Sequence, residues 1–129
     1  MAARAQQTAV PVIGVLSTLS ADDDYITVPF LQGLKETFDY VVVDAPPAFT
    51  EVILRAFDLA DQYLLLTTLD TPSLKNLKVT LGTIQALGMP RNKWRIVVNR
   101  STTKSGVTLD DVRNVTGMDI YAAIPASDA

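Results

Sequence analysis

Apolar residues along this chain fall into two kinds of run, and the two kinds alternate. Five short runs are rich in β-branched and aromatic residues, at 11–17, 40–44, 63–67, 94–99 and 120–124. At least two of them are apolar without alternation, which predicts strands buried on both faces. Between these runs the apolar positions recur at helical spacing. Val28, Leu31, Leu34 and Phe38 predict a first helix near 28–38. Val52, Ile53, Ala56 and Leu59 predict a second near 50–59, with Thr50 as its N-cap. A third opens at Pro72, carries Leu74, Leu77, Leu81, Ile84 and Leu87 as a stripe, and ends at Gly88 and Pro90. A fourth, near 108–116, starts at Thr108 and closes at Gly117; Asp110 and Asp111 in its first turn suit the helix dipole.

The order is therefore βαβαβαβαβ. Strands that alternate with crossover helices form a mostly parallel sheet with helices on both faces, an α/β fold. Residues 11–129 are expected to form one such domain, preceded by a flexible stretch at 1–10. In these folds ligands bind beyond the carboxyl ends of the strands. The residues just after each strand are the candidates for chemistry.

The second strand ends Val43-Asp44-Ala45-Pro46-Pro47. A carboxylate at the end of a buried apolar strand is the layout of an acid that holds Mg²⁺ beside nucleotide phosphates. An ordinary turn-starting Asp reads the same way. The two prolines stiffen the exit and remove two backbone donors. The third strand runs into Thr67-Thr68-Leu69-Asp70-Thr71-Pro72-Ser73, where Asp70 or Thr71 is better read as a cap for the next helix. The fourth ends Asn99-Arg100; the Asn amide offers a donor and an acceptor, as an adenine edge does, or it begins a turn. The fifth ends Ile124-Pro125, where the proline is either a surface for a flat base or a strand terminator. Asp22-Asp23-Asp24 is read as a solvated helix start rather than a cation site.

Composition narrows the chemistry. At 129 residues, 48% of them hydrophobic, the chain is one domain long and rich enough in apolar surface to fold. It has no Cys and no His, which excludes disulfides, thiolate zinc sites, and Ser–His or Cys–His nucleophile pairs. The net charge of −3 gives no whole-chain support for binding a nucleic-acid backbone. No apolar run is long enough to span a bilayer, and residues 1–9 lack the apolar core of a signal peptide, so a cytoplasmic protein is expected. The six glycines, at 14, 33, 82, 88, 106 and 117, form neither G-x-x-x-x-G-K-[ST] nor G-x-G-x-x-G.

The stretch Phe38-Asp39-Tyr40-Val41-Val42-Val43-Asp44-Ala45-Pro46-Pro47 resembles the MinD/ParA superfamily of deviant-Walker ATPases. So do Leu66 to Asn76, Val97-Val98-Asn99-Arg100 and Ile124-Pro125. The run Ser73-Leu74-Lys75-Asn76 with the later Asn99-Arg100 is similar to the CpaE/TadZ branch, the pilus-assembly and polar-localisation ATPases. The likeness covers residue 11 onward and matches the C-terminal two-thirds of such an ATPase. It implies ATP and Mg²⁺, a nucleotide-sandwich dimer, and slow hydrolysis used as a positional switch. By the resemblance Asp44 is the Walker-B acid, which holds Mg²⁺ through water. Ala45-Pro46-Pro47 begins switch II, Asn99 reads adenine with Arg100 beside it, and Pro125 lies next to the base.

The family's Walker A loop and switch I lie upstream of the matched region. So does a mid-sheet strand between those matching 40–44 and 63–67, whose loss would widen the strand spacing by about 5 Å. A partner strand is one way to fill that place. Without the loop, residues 1–129 alone are expected to bind nucleotide weakly and not to hydrolyse it. A second reading is a non-catalytic interaction module with a degenerate NTPase fold, docking through the 72–88 helix face. A third, a phospho-receiver, fits poorly, because Asp44 falls on the second strand rather than the third.

Overall fold

A computed structural model describes residues 14–16, 24–46 and 48–127. Residues 1–13, Asp22, Asp23 and Pro47 are among those outside it, so the expectations for them are not addressed by the fold. Two compact units are present, one ending at Ala60 and the other beginning at Asp61.

The first unit contains strand β1 (Gly14–Leu16), helix α1 (Asp24–Thr37), strand β2 (Val42–Asp44) and helix α2 (Glu51–Leu59). β1 and β2 pair in parallel, with Gly14 opposite Val42 and Leu16 opposite Asp44. Helix α1 begins one turn before the expected start and takes Pro29 into its body. The expected start follows from the apolar spacing, which begins at Val28. Thr50 caps α2 as expected: its hydroxyl accepts from the Ile53 N–H at 3.4 Å. The two helices pack together, and Leu31, Val52 and Ile53 are buried. Lys35 Nζ of α1 donates to the Leu59 carbonyl at the end of α2, at 2.7 Å.

The second unit contains β3 (Tyr63–Thr67), α3 (Thr71–Ala86), a 3-10 turn (Arg91–Lys93), β4 (Trp94–Val98), α4 (Leu109–Thr116) and β5 (Ile120–Ala123). Its strands form one parallel sheet in the order β3-β4-β5. Tyr63 faces Trp94 and Thr67 faces Val98 across the first ladder. Across the second, Ile96 pairs with Ile120 but Val97 pairs with Ala122, so Tyr121 is an extra residue in β5. α3 packs on β3, α4 packs on β5, and the helices touch each other, so both lie on one face. The core beneath them is Leu77, Leu81 and Ile84 from α3, Val112 from α4, and Ile96 and Val98 from β4.

α3 is capped by Asp70, and its stripe is buried at Leu77, Leu81 and Ile84, while Leu87 at the C-cap is exposed. In α4 the Thr108 and Asp111 side chains each bond the other's main-chain N–H, a capping box, and Gly117 ends the helix at φ 63°.

The fold is α/β with parallel strands, as the alternation of periods implies. Burial of the strands departs from expectation in part. Only β4 has neighbours on both edges in the second unit, and Trp94, Ile96, Val97 and Val98 are all buried. Val42 and Val43 of β2 are exposed, as are Leu64 and Leu66 of β3. An unbroken apolar run reports strand propensity, whereas burial on two faces depends on what packs there.

Candidate functional site

The carboxyl ends of β3, β4 and β5 form one rim in the second unit, tied together by main-chain hydrogen bonds. The Asn99 N–H donates to the Thr67 carbonyl at 2.8 Å, extending the β3–β4 ladder by one residue. The Ile124 N–H donates to the Val98 carbonyl, and the Ser101 N–H donates back to the Ile124 carbonyl, each at 2.8 Å. The Ala126 N–H donates to Thr102 Oγ1 at 3.0 Å. The loop after β4 is thus laced to the segment after β5, and Asn99, Arg100 and Pro125 meet on this rim. Thr102, which fastens Ala126 beside Pro125, has no sequence pattern that singles it out.

Asn99 is half-buried, and its Oδ1 accepts from the Arg100 N–H at 2.9 Å. Because that N–H can only donate, the contact fixes which amide atom is oxygen. The Asn99 Nδ2 has no acceptor among the described residues. Arg100 has φ 53°, the one positive value among the described non-glycine residues. A left-handed conformation at a residue with a Cβ persists only where its surroundings impose it, and such positions concentrate at functional sites. The Asn99 side chain and the lacing of the loop impose it here. This strain is also invisible in the sequence.

At the end of β3, Asp70 is the N-cap of α3 rather than a free ligand. Its Oδ1 accepts from the Ser73 N–H at 2.8 Å, its Oδ2 accepts from the Thr68 hydroxyl, and the Thr68 and Ser73 hydroxyls are hydrogen-bonded at 2.8 Å. The Thr68 hydroxyl first, then the Ser73 amide and hydroxyl, hold the Asp70 carboxyl below the usual carboxylate range. Thr67 is buried and serves as the acceptor for Asn99.

The other candidates belong to the first unit. Asp44 is the last residue of β2 and is exposed. Pro46 follows it, with its carbonyl accepting from the Ala48 N–H at 2.7 Å. Pro47 lies outside the described residues. Among the described residues no three His, Cys, Asp or Glu side chains gather as a metal cluster. A lone carboxylate at a strand end suits a magnesium ion that keeps most of its waters, and does not suit a cation needing several protein ligands.

No protein-family model matches the sequence. The chain is 27% identical over 96 residues to the septum site-determining protein MinD of Thermotoga maritima, a match covering 70% of this chain and 35% of that protein. It is 37% identical over 57 residues to a maintenance of carboxysome distribution protein A of Gloeothece citriformis, covering 44% of this chain and 22% of that one. Among solved structures, a ParA family ATPase from Chlorobium tepidum TLS superposes with a TM-score of 0.75 at 22% identity, over 85% of this chain and 45% of the other. The fold is that of the MinD/ParA-type ATPases. MinD from Aquifex aeolicus superposes at 0.66 with 16% identity, over 87% of this chain and 48% of the other. A MinC:MinD complex from the same organism superposes at 0.65 with 18% identity, over 85% and 46%. The MinD relative supports the MinD/ParA-type ATPase superfamily, and the structural neighbours share its fold. This chain spans about a third of the length of the MinD relative and less than half of each structural neighbour. Among the described residues no helix is long and apolar enough to cross a membrane.

Proposed function

We propose that this chain carries the adenine-recognising and magnesium-holding residues of a MinD/ParA-type ATP switch, one closest to the CpaE/TadZ branch that serves pilus assembly and polar localisation. The observation that carries the reading is the rim where Asn99, Arg100 and Pro125 meet. Asn99 Oδ1 bonds the loop and keeps a second lone pair, while its Nδ2 stands without an acceptor among the described residues. One donor and one acceptor on a fixed amide match the N1 acceptor and N6 donor of adenine. Pro125 offers a flat apolar surface beside them, and Arg100 extends the site toward charged groups.

On this reading Asp44 holds Mg²⁺ through water, and Ala45, Pro46 and Pro47 respond to the γ-phosphate. Magnesium supplies charge neutralisation on the phosphates when bound. The 129 residues hold no G-x-x-x-x-G-K-[ST] loop, so phosphate binding falls to other groups, from a longer chain or a partner. Residues 11–129 then act as one α/β domain in the cytoplasm, as a homodimer or with a partner that adds a strand.

Base recognition separates this reading from a degenerate module. With a fluorescent ATP analogue bound to the protein, ATP is expected to displace it about tenfold better than GTP, whose base edge presents the opposite donor and acceptor pattern. Asn99→Ala removes that preference. Equal displacement by both nucleotides, or no analogue binding at all, sinks the reading and leaves the non-catalytic module.

A further inference from the structure

The amino ends of β4 and β5, away from the rim that carries Asn99 and Pro125, hold an open groove of about 480 Å³. Trp94 and Ile120, the first residues of the two strands, line it together with Arg91, Arg95, Asp119 and Tyr121. The Arg91 guanidinium lies over the Trp94 ring, 5.8 Å from its centroid, and the Arg95 guanidinium lies over Tyr121 at 5.7 Å. Both guanidiniums donate to main-chain carbonyls: Arg91 to Gly117 at 3.4 Å, Arg95 to Asn92 and Trp94 at 2.8 Å each. Among the described residues neither has a carboxylate partner.

Two further observations bear on what the groove takes. Trp94 is 4% exposed, and its indole Nε1 is a buried donor with no acceptor among the described residues. A native structure seldom leaves such a donor unmet. The charge is also uneven along the chain. From Thr71 to Leu109 there is no Asp or Glu, while seven of the 11 Lys and Arg residues fall there, Arg91, Lys93 and Arg95 among them.

We propose that this groove binds an extended segment of a partner protein in which carboxylate side chains alternate with apolar ones. Carboxylates pair with guanidiniums through two parallel hydrogen bonds, and Arg91 and Arg95 are already steered by the rings beneath them. Apolar side chains of the segment rest on Ile120 and Tyr121. Trp, Tyr and Arg are the residue types that dominate binding energy at protein interfaces. Asp119 lines the same groove. A segment with alternating residues can set an apolar side chain against it, whereas a phosphate backbone carries charge at every step, which favours a protein segment over a nucleic acid.

Trp94 is the chain's one tryptophan, so its emission reports directly on the groove. The probes are a ten-residue peptide of alternating glutamate and leucine, its lysine–leucine counterpart, and a 20-nucleotide single-stranded DNA. The expected result is a saturable change in Trp94 emission with the glutamate peptide. The double variant Arg91→Gln, Arg95→Gln weakens it about tenfold or more. The double variant Lys75→Gln, Lys78→Gln, placed elsewhere on the basic stretch, changes it less than about twofold. If the first double variant loses its native circular dichroism, Arg95→Gln alone takes its place. Three results overturn the proposal: no emission change, equal or tighter binding of the lysine peptide or the DNA, or unchanged affinity in the arginine variant.

Discussion

Gly117 ends α4 at φ 63°, where a Cβ crowds the following carbonyl. Gly117→Ala is expected to lower stability by about 1 kcal/mol, read from the urea midpoint. Asp70 and Asp111 respond to pH in a defined direction. Asp70 is held low by the Thr68 hydroxyl and then by Ser73; Asp111 is held low by the Thr108 N–H and then its hydroxyl. Each carboxyl therefore protonates at lower pH in the native protein than in the unfolded chain. Its contribution to stability is complete above about pH 4 and fades as pH falls through its depressed native value. Urea midpoints measured from pH 7 down to pH 2.5 should fall more gently below pH 4 in the double variant Asp70→Asn, Asp111→Asn than in the native protein. Parallel curves would show that these caps do not set the acid response.

At the scale of elements, β4 holds the second unit together. Ile96 is wholly buried, and Ile96→Ala is expected to cost about 2–5 kcal/mol. Leu66, on the neighbouring strand β3 but 63% exposed, should change stability by no more than about 0.5 kcal/mol when replaced by Ala. Chemical denaturation of the two variants separates them. That contrast marks where the sequence stops being legible. The strand at 63–67 and the cap at Thr108 are readable because propensity, period and capping chemistry are local. Leu64, Leu65 and Leu66 are alike in the sequence, and only Leu65 turns toward cover, because burial is decided by α3 and by neighbouring strands. The candidate site divides in the same way. Asn99 and Pro125 stand out as strand-end residues. The left-handed Arg100 and the Thr102 bond that fastens Ala126 do not, because both arise from closing a loop between strands that are distant in the chain.

The second unit has two chemically distinct ends. One end of its sheet carries Asn99, Arg100 and Pro125, and the other carries Arg91, Trp94 and Arg95. The central claim is that adenine nucleotide binds the first end. The most direct measurement is the backbone and side-chain amide NMR spectrum of the isotopically labelled protein, titrated with ATP and Mg²⁺. The account predicts saturable shifts of the Asn99 side-chain amide and of the Arg100, Ser101 and Ala126 N–H groups, with Trp94 Nε1–H unmoved. An Asn99 amide that stays in place while nucleotide saturates, or shifts confined to the Arg91–Arg95 end, would contradict it.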